Sequence, residues 1–260
     1  MGEVVLTETV GATRVVTLNR PEARNALTRA VILGATGALE QASSDPDVRC
    51  VVLTGAGGHF CAGADLRANI AEDPQMLEHL DRHMDEFHGL LKALIRCPKP
   101  SIAMMDGAAV GFGADLAFAC DLRVASSRAY VQEKFVKLGL MPDGGGTFWL
   151  PRLVGTARAM QMILLAEKVE AAELGALGVV VKVVEPGALR EATLELARTL
   201  EAGPPLAHAA VKRALYASWG SIEEALVRER EEQLKLLRSH DVMEGVMAWM
   251  QKREPRFEGK

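Results

Sequence analysis

CVVLTGAGGHFCAGADL, residues 50–66, and SIAMMDGAAVGFGADL, residues 101–116, share one layout. Each begins with a short apolar run typical of a buried strand, continues through a glycine-rich loop and returns to apolar residues. The second loop leads directly into a short apolar helix, predicted over residues 114–120. This repeated order of strand, glycine loop and following apolar segment predicts βα units and hence a mixed α/β core.

The flanking segments extend this pattern. Two β-branched runs on either side of Gly11 predict a hairpin, and residues 27–42 predict a helix capped by Thr28. After Pro142 the pattern is mostly helical, so we place an α/β core at residues 1–190 and a helical region at 191–260. Predicted helices cover residues 76–95, 160–166, 171–177, 189–201, 206–219, 222–237 and 242–252.

Composition excludes several classes of protein. The chain has 260 residues, 49% of them hydrophobic, and a net charge of −4, which gives no indication of a nucleic-acid partner. No apolar run is long enough to predict a membrane span, and the N-terminus does not read as a signal peptide. Four cysteines without CxxC spacing predict a reduced, cytoplasmic chain.

The two glycine loops are the candidate ligand site. Small residues let a ligand approach the backbone closely, and a helix start offers free N–H groups with partial positive charge. Such a site suits an anion or a developing oxyanion. Phosphate binding is an alternative, although neither GxxxxGK[ST] nor GxGxxG is present. Ordinary turn chemistry remains open as well.

Several motifs resemble the enoyl-CoA hydratase/isomerase (crotonase) superfamily. They are LNRPEARNAL at 18–27, FCAGADL at 60–66, KPSIA at 99–103, DGAAVGFG at 106–113, CDLRVAS at 120–126, GLMPDGGGT at 139–147 and KREPRFEGK at 252–260. The likeness covers nearly the whole chain, in the family's order and spacing. KLGLMPD at 137–143 with LPRLVG at 150–155 is most similar to the phenylacetate-pathway-type enoyl-CoA isomerases.

The resemblance implies an α/β fold, a crotonase-like spiral of repeated ββα units with a C-terminal helical region that forms trimers. It also implies an acyl-CoA thioester substrate, a homotrimer or a hexamer built from two trimers, and no cofactor, since coenzyme A enters with the substrate. The backbone N–H groups of Ala64 and Phe112 would form the oxyanion hole. Glycine is frequent in the family at the second position, so the Phe112 ring is expected to narrow or reshape the pocket.

The resemblance also implies the residues that line the substrate path. Arg67, or Phe257 and Lys260 from a neighbouring subunit, would meet the nucleotide end of coenzyme A. The remaining substrate and coenzyme A contacts are expected at Arg24, Ala62, Gly63, Asp65, Leu66, Gly111, Gly113 and Phe135.

Enolate formation from a thioester also needs a base, and Asp115 is the first candidate. It lies three residues after Phe112, on the same face of the predicted helix, and matches one of the two glutamates of the hydratases. The plain alternative is an acidic residue favoured by the dipole in a first helical turn.

Two further carboxylates are candidates. The position of the second hydratase glutamate holds Phe135, and Glu133, two residues away, is either a solvated surface charge or enters the site through a small register change. Asp143 matches the acid/base of several enoyl-CoA isomerases, but an aspartate before a glycine run is also an ordinary helix N-cap.

The count of carboxylates favours one reaction. Hydration uses two, one to activate water and one to protonate C2, whereas a double-bond shift needs one group that moves a proton. Loss of the second glutamate therefore favours isomerisation, with Asp143 as the shuttle and Asp115 orienting or sharing the proton. Hydration is the alternative, and an acyl-CoA-binding protein with poor catalysis is a second. His79, His83 and His88 lack HExxH spacing, so no metal site is expected.

Overall fold

The computed structural model describes residues 2–75, 78–217 and 222–260. Strands β1 (Val5–Val10) and β2 (Thr13–Leu18) form the predicted antiparallel hairpin. Helix α1 (Arg29–Ser44) follows, and the hydroxyl oxygen of Thr28 accepts a hydrogen bond from the N–H of Val31 at 3.5 Å. The predicted cap is therefore confirmed.

A six-stranded sheet forms the centre, in the order β1-β2-β3-β4-β6-β9. It contains β3 (Cys50–Gly55), β4 (Ser101–Met105), β6 (Leu122–Ser126) and β9 (Lys182–Val184), all parallel to their neighbours from β2 onward. Parallel strands end at the same edge of a sheet, so the loops after β3 and β4 emerge side by side.

A smaller sheet lies beyond this edge. It consists of β5 (Ala108–Val110), β7 (Tyr130–Gln132) and β8 (Lys168–Glu170), in the order β5-β7-β8. Each of these strands has three residues, which is too short for an alternating pattern to predict, and none was expected from the sequence. The smaller sheet contains β5, which lies inside the second glycine loop.

Helices cover the remaining chain. They are α2 (Leu66–Glu72), α3 (Leu80–Arg96), α4 (Phe112–Ala119), α5 (Gly146–Val154), α6 (Thr156–Leu164), α7 (Ala171–Ala176), α8 (Leu189–Glu201), α9 (Pro205–Ala217), α10 (Ile222–Leu236) and α11 (His240–Gln251). The helix predicted from residue 76 begins at Leu80 instead, and α2 was not predicted. Residues 76, 77, 218 and 219 of the predicted helices lie outside the described ranges.

Both faces of the central sheet are buried. Val51, Leu53 and Met105 face a large apolar cluster shared with α1, α3 and α4, while the alternate residues Val52 and Ile102 face α8. Strands covered on both faces read as continuous apolar runs, which is the pattern at residues 50–53 and 102–105. Helix α8 thus belongs to the layer beneath the sheet, and the division of domains near residue 190 stays a prediction.

The C-terminal helices are attached to the core by a buried ion pair. Lys212 of α9 contacts Asp121 at 2.8 Å, and the hydroxyl of Tyr216 donates to the same carboxylate at 2.9 Å. Across the described ranges, none of the helices is both long and apolar enough to cross a membrane.

Candidate active site

Backbone hydrogen bonds join the two glycine loops. The N–H groups of Phe60 and Cys61 donate to the carbonyl of Ala108 at 3.0 and 2.9 Å, and the N–H of Val110 donates to the carbonyl of Cys61 at 2.9 Å. Cys61 therefore forms a parallel β-bridge with Ala109 of β5. The residues that follow each paired stretch, 62–64 and 111–113, come to lie next to each other.

This pairing brings the two predicted donors together. A Cβ atom on Gly63 would lie 3.5 Å from the nitrogen of Phe112 and 2.7 Å from the carbonyl oxygen of Val110, so only glycine fits there, at φ +88°. Within the described part of the chain, the N–H groups of Ala64 and Phe112 donate to no protein acceptor. Phe112 opens α4, where the first N–H groups have no partner inside the helix.

The Phe112 side chain is buried against α3. It is 2% exposed, and its ring lies edge-on to that of Phe87 in α3, with 4.7 Å between centroids. The ring thus belongs to the contact between α3 and α4. Gly113 is equally constrained, because a Cβ there would lie 2.3 Å from the carbonyl oxygen of Cys61.

Asp115 is completely buried one helical turn after Phe112. Its Oδ2 atom accepts a hydrogen bond from the N–H of Gly144 at 2.9 Å, and its Oδ1 atom has no partner among the described residues. Burial is the largest cause that raises the pKa of Asp115 to about 7, and the nearby charge of Asp143 adds to it.

Glu133, directly after β7, is also buried. It is 1% exposed, so the expectation of a solvated surface charge is wrong. Neither of its carboxyl oxygens has a hydrogen-bond partner that donates from the described chain, and burial followed by the charge of Asp115 raises its pKa to about 10. A Cβ on Gly146 would lie 2.4 Å from Oδ1 of Asp115 and 3.3 Å from Oε1 of Glu133, so both carboxyl groups converge on that glycine.

Asp143 is half-buried in the loop before α5. Its Oδ1 atom lacks a partner within the described ranges, and burial raises its pKa, against the effect of His88. The interpretation of Asp143 as a helix N-cap is wrong: Gly145 is the N-cap of α5, in a left-handed conformation with φ +93°. The Asp143 side chain therefore has no capping task.

A mostly apolar cavity of about 360 Å³ adjoins Asp143. Its wall includes the aromatic side chains of Phe148, Trp149 and Tyr216. His88 was not expected to contribute, yet its Nε2 atom lies 2.9 Å from the carbonyl oxygen of Asp143. The spacing of His88, Leu91 and Ile95 on one helical face was the available signal.

Phe135 lies close to the second loop. It opens a short 3-10 helix, Phe135–Leu138, and its ring would contact a Cβ on Gly111 at 3.8 Å. An aromatic ring thus occupies the place that the resemblance assigns to a second glutamate.

The predicted coenzyme A residues of the first loop lie together. The N–H of Ala62 donates to the carbonyl of Arg24 at 3.0 Å, which places the Arg24 turn against this loop. Asp65 caps α2 by accepting from the N–H of Ala68 at 3.0 Å and pairs with Arg20 at 2.9 Å. Leu66 and Arg67, on the first turn of α2, are exposed.

The tail residues lie elsewhere in the same chain. The carbonyl of Phe257 accepts from Arg49, which precedes β3, at 2.8 Å, and the C-terminal backbone packs on α11 through Asp241. This is the opposite end of β3 from the glycine loop. One protomer therefore does not bring its own Phe257 and Lys260 to its site, and their contribution to a neighbouring subunit stays a prediction.

Two of the three histidines contact one carboxylate. Asp73 lies 2.8 Å from Nδ1 of His79 and 3.2 Å from Nε2 of His83, which lowers the pKa of Asp73 to about 2. Among the described residues, no group of three His, Cys, Asp or Glu side chains is placed to hold a metal ion.

The α/β fold brings two free backbone N–H groups together, and comparison with known proteins gives the family of the chain. The family model for enoyl-CoA hydratase/isomerase matches residues 8–260. A probable enoyl-CoA hydratase of Rhodobacter capsulatus is 42% identical over 95% of this chain and 94% of that protein. The 1,2-epoxyphenylacetyl-CoA isomerase of Escherichia coli is 36% identical over 100% of both chains.

Solved structures agree with these relatives. The crystal structure of an enoyl-CoA hydratase from Polaromonas sp. JS666 has a TM-score of 0.92 and 34% identity, covering 97% of this chain and 99% of that one. The chain belongs to the enoyl-CoA hydratase/isomerase family and has the crotonase fold. It is an enzyme that acts on acyl-CoA thioesters.

Proposed function

We propose that this enzyme shifts the double bond of an enoyl-CoA, converting a 3-enoyl into a 2-enoyl thioester. The observation that carries the proposal is the exchange of a carboxylate for the Phe135 ring beside the second loop, while Asp143 keeps an unpartnered carboxyl oxygen next to an apolar cavity. A shift needs one proton-carrying group, and this arrangement supplies one. The Escherichia coli relative supports isomerisation in general, since its name is that of an isomerase acting on an epoxide, 1,2-epoxyphenylacetyl-CoA.

The reaction begins with the thioester oxygen between the N–H groups of Ala64 and Phe112. Asp143 removes a proton from C2, and the electron pair moves into the carbonyl to give a dienolate. The two N–H groups stabilise its oxygen, each contributing about 10²–10³ in rate. Asp143 then returns the proton to C4, which leaves the double bond between C2 and C3. Asp115 orients Asp143 or shares its proton.

The substrate enters along the first loop. Coenzyme A lies over Arg24, Ala62 and the start of α2, where the exposed Arg67 meets a phosphate. The enzyme assembles as a homotrimer or a hexamer, and Phe257 and Lys260 of one protomer reach the nucleotide bound to the next. Exposed apolar side chains on the C-terminal helices, such as Trp249 at 81% exposure, support this assembly. The cytoplasmic location and the lack of a separate cofactor stay predictions.

Hydration of a 2-enoyl-CoA is the second candidate. Glu133 provides a second buried carboxyl group next to Asp115, which restores the count that hydration needs. The hydratase named for Rhodobacter capsulatus is consistent with this reaction. The two candidates differ in product, since hydration adds the mass of one water and isomerisation adds none.

The test uses the pure enzyme and two variants, Asp143→Asn and Asp115→Asn. Wild type is incubated with 3-enoyl-CoA and, separately, with 2-enoyl-CoA, and products are followed by absorbance and mass. We expect a shift of 3-enoyl-CoA and a loss of about 10²–10⁴ in kcat for Asp143→Asn, because a positioned base contributes that much. Full activity of Asp143→Asn would contradict its role, and rapid hydration of 2-enoyl-CoA without any shift would favour the second candidate.

A further inference from the structure

Glu133 is the buried acid that the proposed reaction leaves without a task. Its carboxyl group is enclosed by β7, α4 and the loop that enters α5, and both of its oxygens lack a donor within the described chain. An ionised carboxylate in such a place loses its hydration and gains nothing in return, which costs several kcal/mol. The group therefore needs either a cation or a proton.

Among the described residues, the charged groups that act on the pKa of Glu133 are both acidic. Asp115 of α4 and Asp143 of the loop before α5 are the two that act on its pKa, and both raise it. His88 of α3 lies against Asp143 and acts on its pKa, but it is not among the groups that act on the pKa of Glu133. These described neighbours provide no positive charge, so the carboxyl group of Glu133 is neutralised by a proton.

An acceptor for this proton lies nearby on Asp115. Oδ2 of Asp115 is fixed by the N–H of Gly144 at 2.9 Å, which leaves Oδ1 free to accept. Oδ1 of Asp115 and Oε1 of Glu133 both point at Gly146, and the two side chains are within hydrogen-bond reach of each other. A glycine is required at 146, because any side chain there would separate the two carboxyl groups.

We infer that Glu133 is a positioning residue that keeps its proton and donates it to Oδ1 of Asp115, so that the two buried carboxyl groups share a single negative charge. This hydrogen bond and the one from Gly144 fix both oxygens of Asp115. If Glu133 ionised, it would add a second negative charge beside Asp115, which lies one helical turn from the Phe112 donor, and this charge would oppose formation of the enolate. For its effect on turnover this inference rests on the proposed double-bond shift, but the protonation of Glu133 does not.

The first experiment therefore measures the proton without turnover. Infrared difference spectra of the free enzyme at about pH 8.5 compare wild type, Glu133→Gln and the surface control Glu191→Gln. We expect the C=O band of a protonated carboxyl in wild type and in Glu191→Gln, and its loss in Glu133→Gln. No such band in wild type, or an unchanged band in Glu133→Gln, would overturn the inference whether or not the enzyme is an isomerase.

The second experiment measures the pH profile of kcat/KM with 3-enoyl-CoA, corrected for spontaneous hydrolysis. Because burial and Asp115 raise the pKa of Glu133 to about 10, wild-type activity should fall about twofold as pH approaches that value. Glu133→Gln, which cannot ionise, should lack this fall. Glu133→Leu removes the donor, and we expect it to be about 10- to 100-fold less active than Glu133→Gln at pH 7.

The outcomes separate the two proposals. If kcat/KM falls equally at high pH in wild type and in Glu133→Gln, the role of Glu133 in turnover is refuted. A protonated Glu133 in an enzyme that produces no double-bond shift would refute the proposed function and leave the shared charge standing.

Discussion

At the scale of single residues, the site is characterised by two buried carboxyl groups that have no cation beside them among the described residues. Asp115 and Glu133 are both almost fully enclosed, and burial is the first cause of the raised pKa of each. In the unfolded chain both groups titrate near pH 4. The folded protein therefore retains protons between pH 4 and pH 7 that the unfolded chain has already lost.

This difference predicts how stability depends on pH. A carboxyl group whose folded pKa is raised favours the folded state at low pH, and that contribution is lost as pH rises above the unfolded pKa. We expect the free energy of unfolding of wild type to fall between pH 5 and pH 8, and Glu133→Gln to reduce that fall by roughly 2–4 kcal/mol. Urea unfolding at both pH values and one protein concentration measures it.

The control is Glu191→Gln, the same substitution on the exposed face of α8. Its pH dependence should equal that of wild type. Equal slopes for Glu133→Gln and wild type would show that Glu133 is ionised in the folded protein.

At the scale of elements, Asp65 fixes the start of helix α2. Asp65 accepts from the N–H of Ala68 at 3.0 Å and pairs with Arg20 at 2.9 Å, and its pKa is lowered by these contacts against the effect of burial. The helix has seven residues and begins with Leu66 and Arg67, which we assign to the coenzyme A path. An incorrect start of α2 would therefore displace binding groups more than reacting groups.

Asp65→Ala should accordingly raise KM for an acyl-CoA about 3- to 30-fold and change kcat less, since a helix cap contributes about 0.5–2 kcal/mol. Asp65→Asn keeps an oxygen that can cap and loses the charge that Arg20 pairs with, so it should fall between wild type and Asp65→Ala. Steady-state kinetics of the three proteins measures both constants. An unchanged KM in Asp65→Ala would show that α2 does not set the coenzyme A path.

The elements also show what could be predicted from sequence. Helix α8 was predicted to the residue, because clear helical periodicity carries a strong signal. The three-residue strands β5, β7 and β8 carry none. Glu133 follows β7 directly, and the sheet pairing of that strand turns it inward, so its burial could not be predicted while β7 was unknown.

The candidate active site was likewise predictable only where a sequence motif carries a strong signal. The backbone donors at Ala64 and Phe112 were located by motif, since glycines such as Gly63 constrain the chain there. The carboxyl groups depend on the direction of side chains across three elements, which a single sequence does not specify. Asp143 was ambiguous for this reason until the start of α5 at Gly146 excluded a capping role.

At the scale of the whole molecule, the C-terminal helices leave large apolar side chains exposed. In α11 alone, Met243 is 61% exposed, Trp249 81% and Met250 66%. Exposed apolar patches of this kind mark protein interfaces. These side chains belong to the C-terminal region that also contains Phe257. Phe257 itself lies far from the glycine loop of its own chain.

We therefore expect the enzyme to run as a trimer or a hexamer in light scattering at micromolar concentration. Trp249→Glu should lower the assembled fraction, and with it the affinity for acyl-CoA if the tail of one protomer completes the site of the next. Arg238→Glu is a control on a neighbouring polar position. A fully active monomer would contradict this assembly.

In the proposed double-bond shift, the paired N–H groups stabilise a dienolate, and Asp143 returns the proton to its C4 atom. The most direct measurement is the product formed from 3-enoyl-CoA in D₂O, analysed by mass and by the position of the label. We expect 2-enoyl-CoA without added water, carrying at most one deuterium, at C4. A hydrated product, or an unchanged 3-enoyl-CoA alongside rapid hydration of 2-enoyl-CoA, would contradict it.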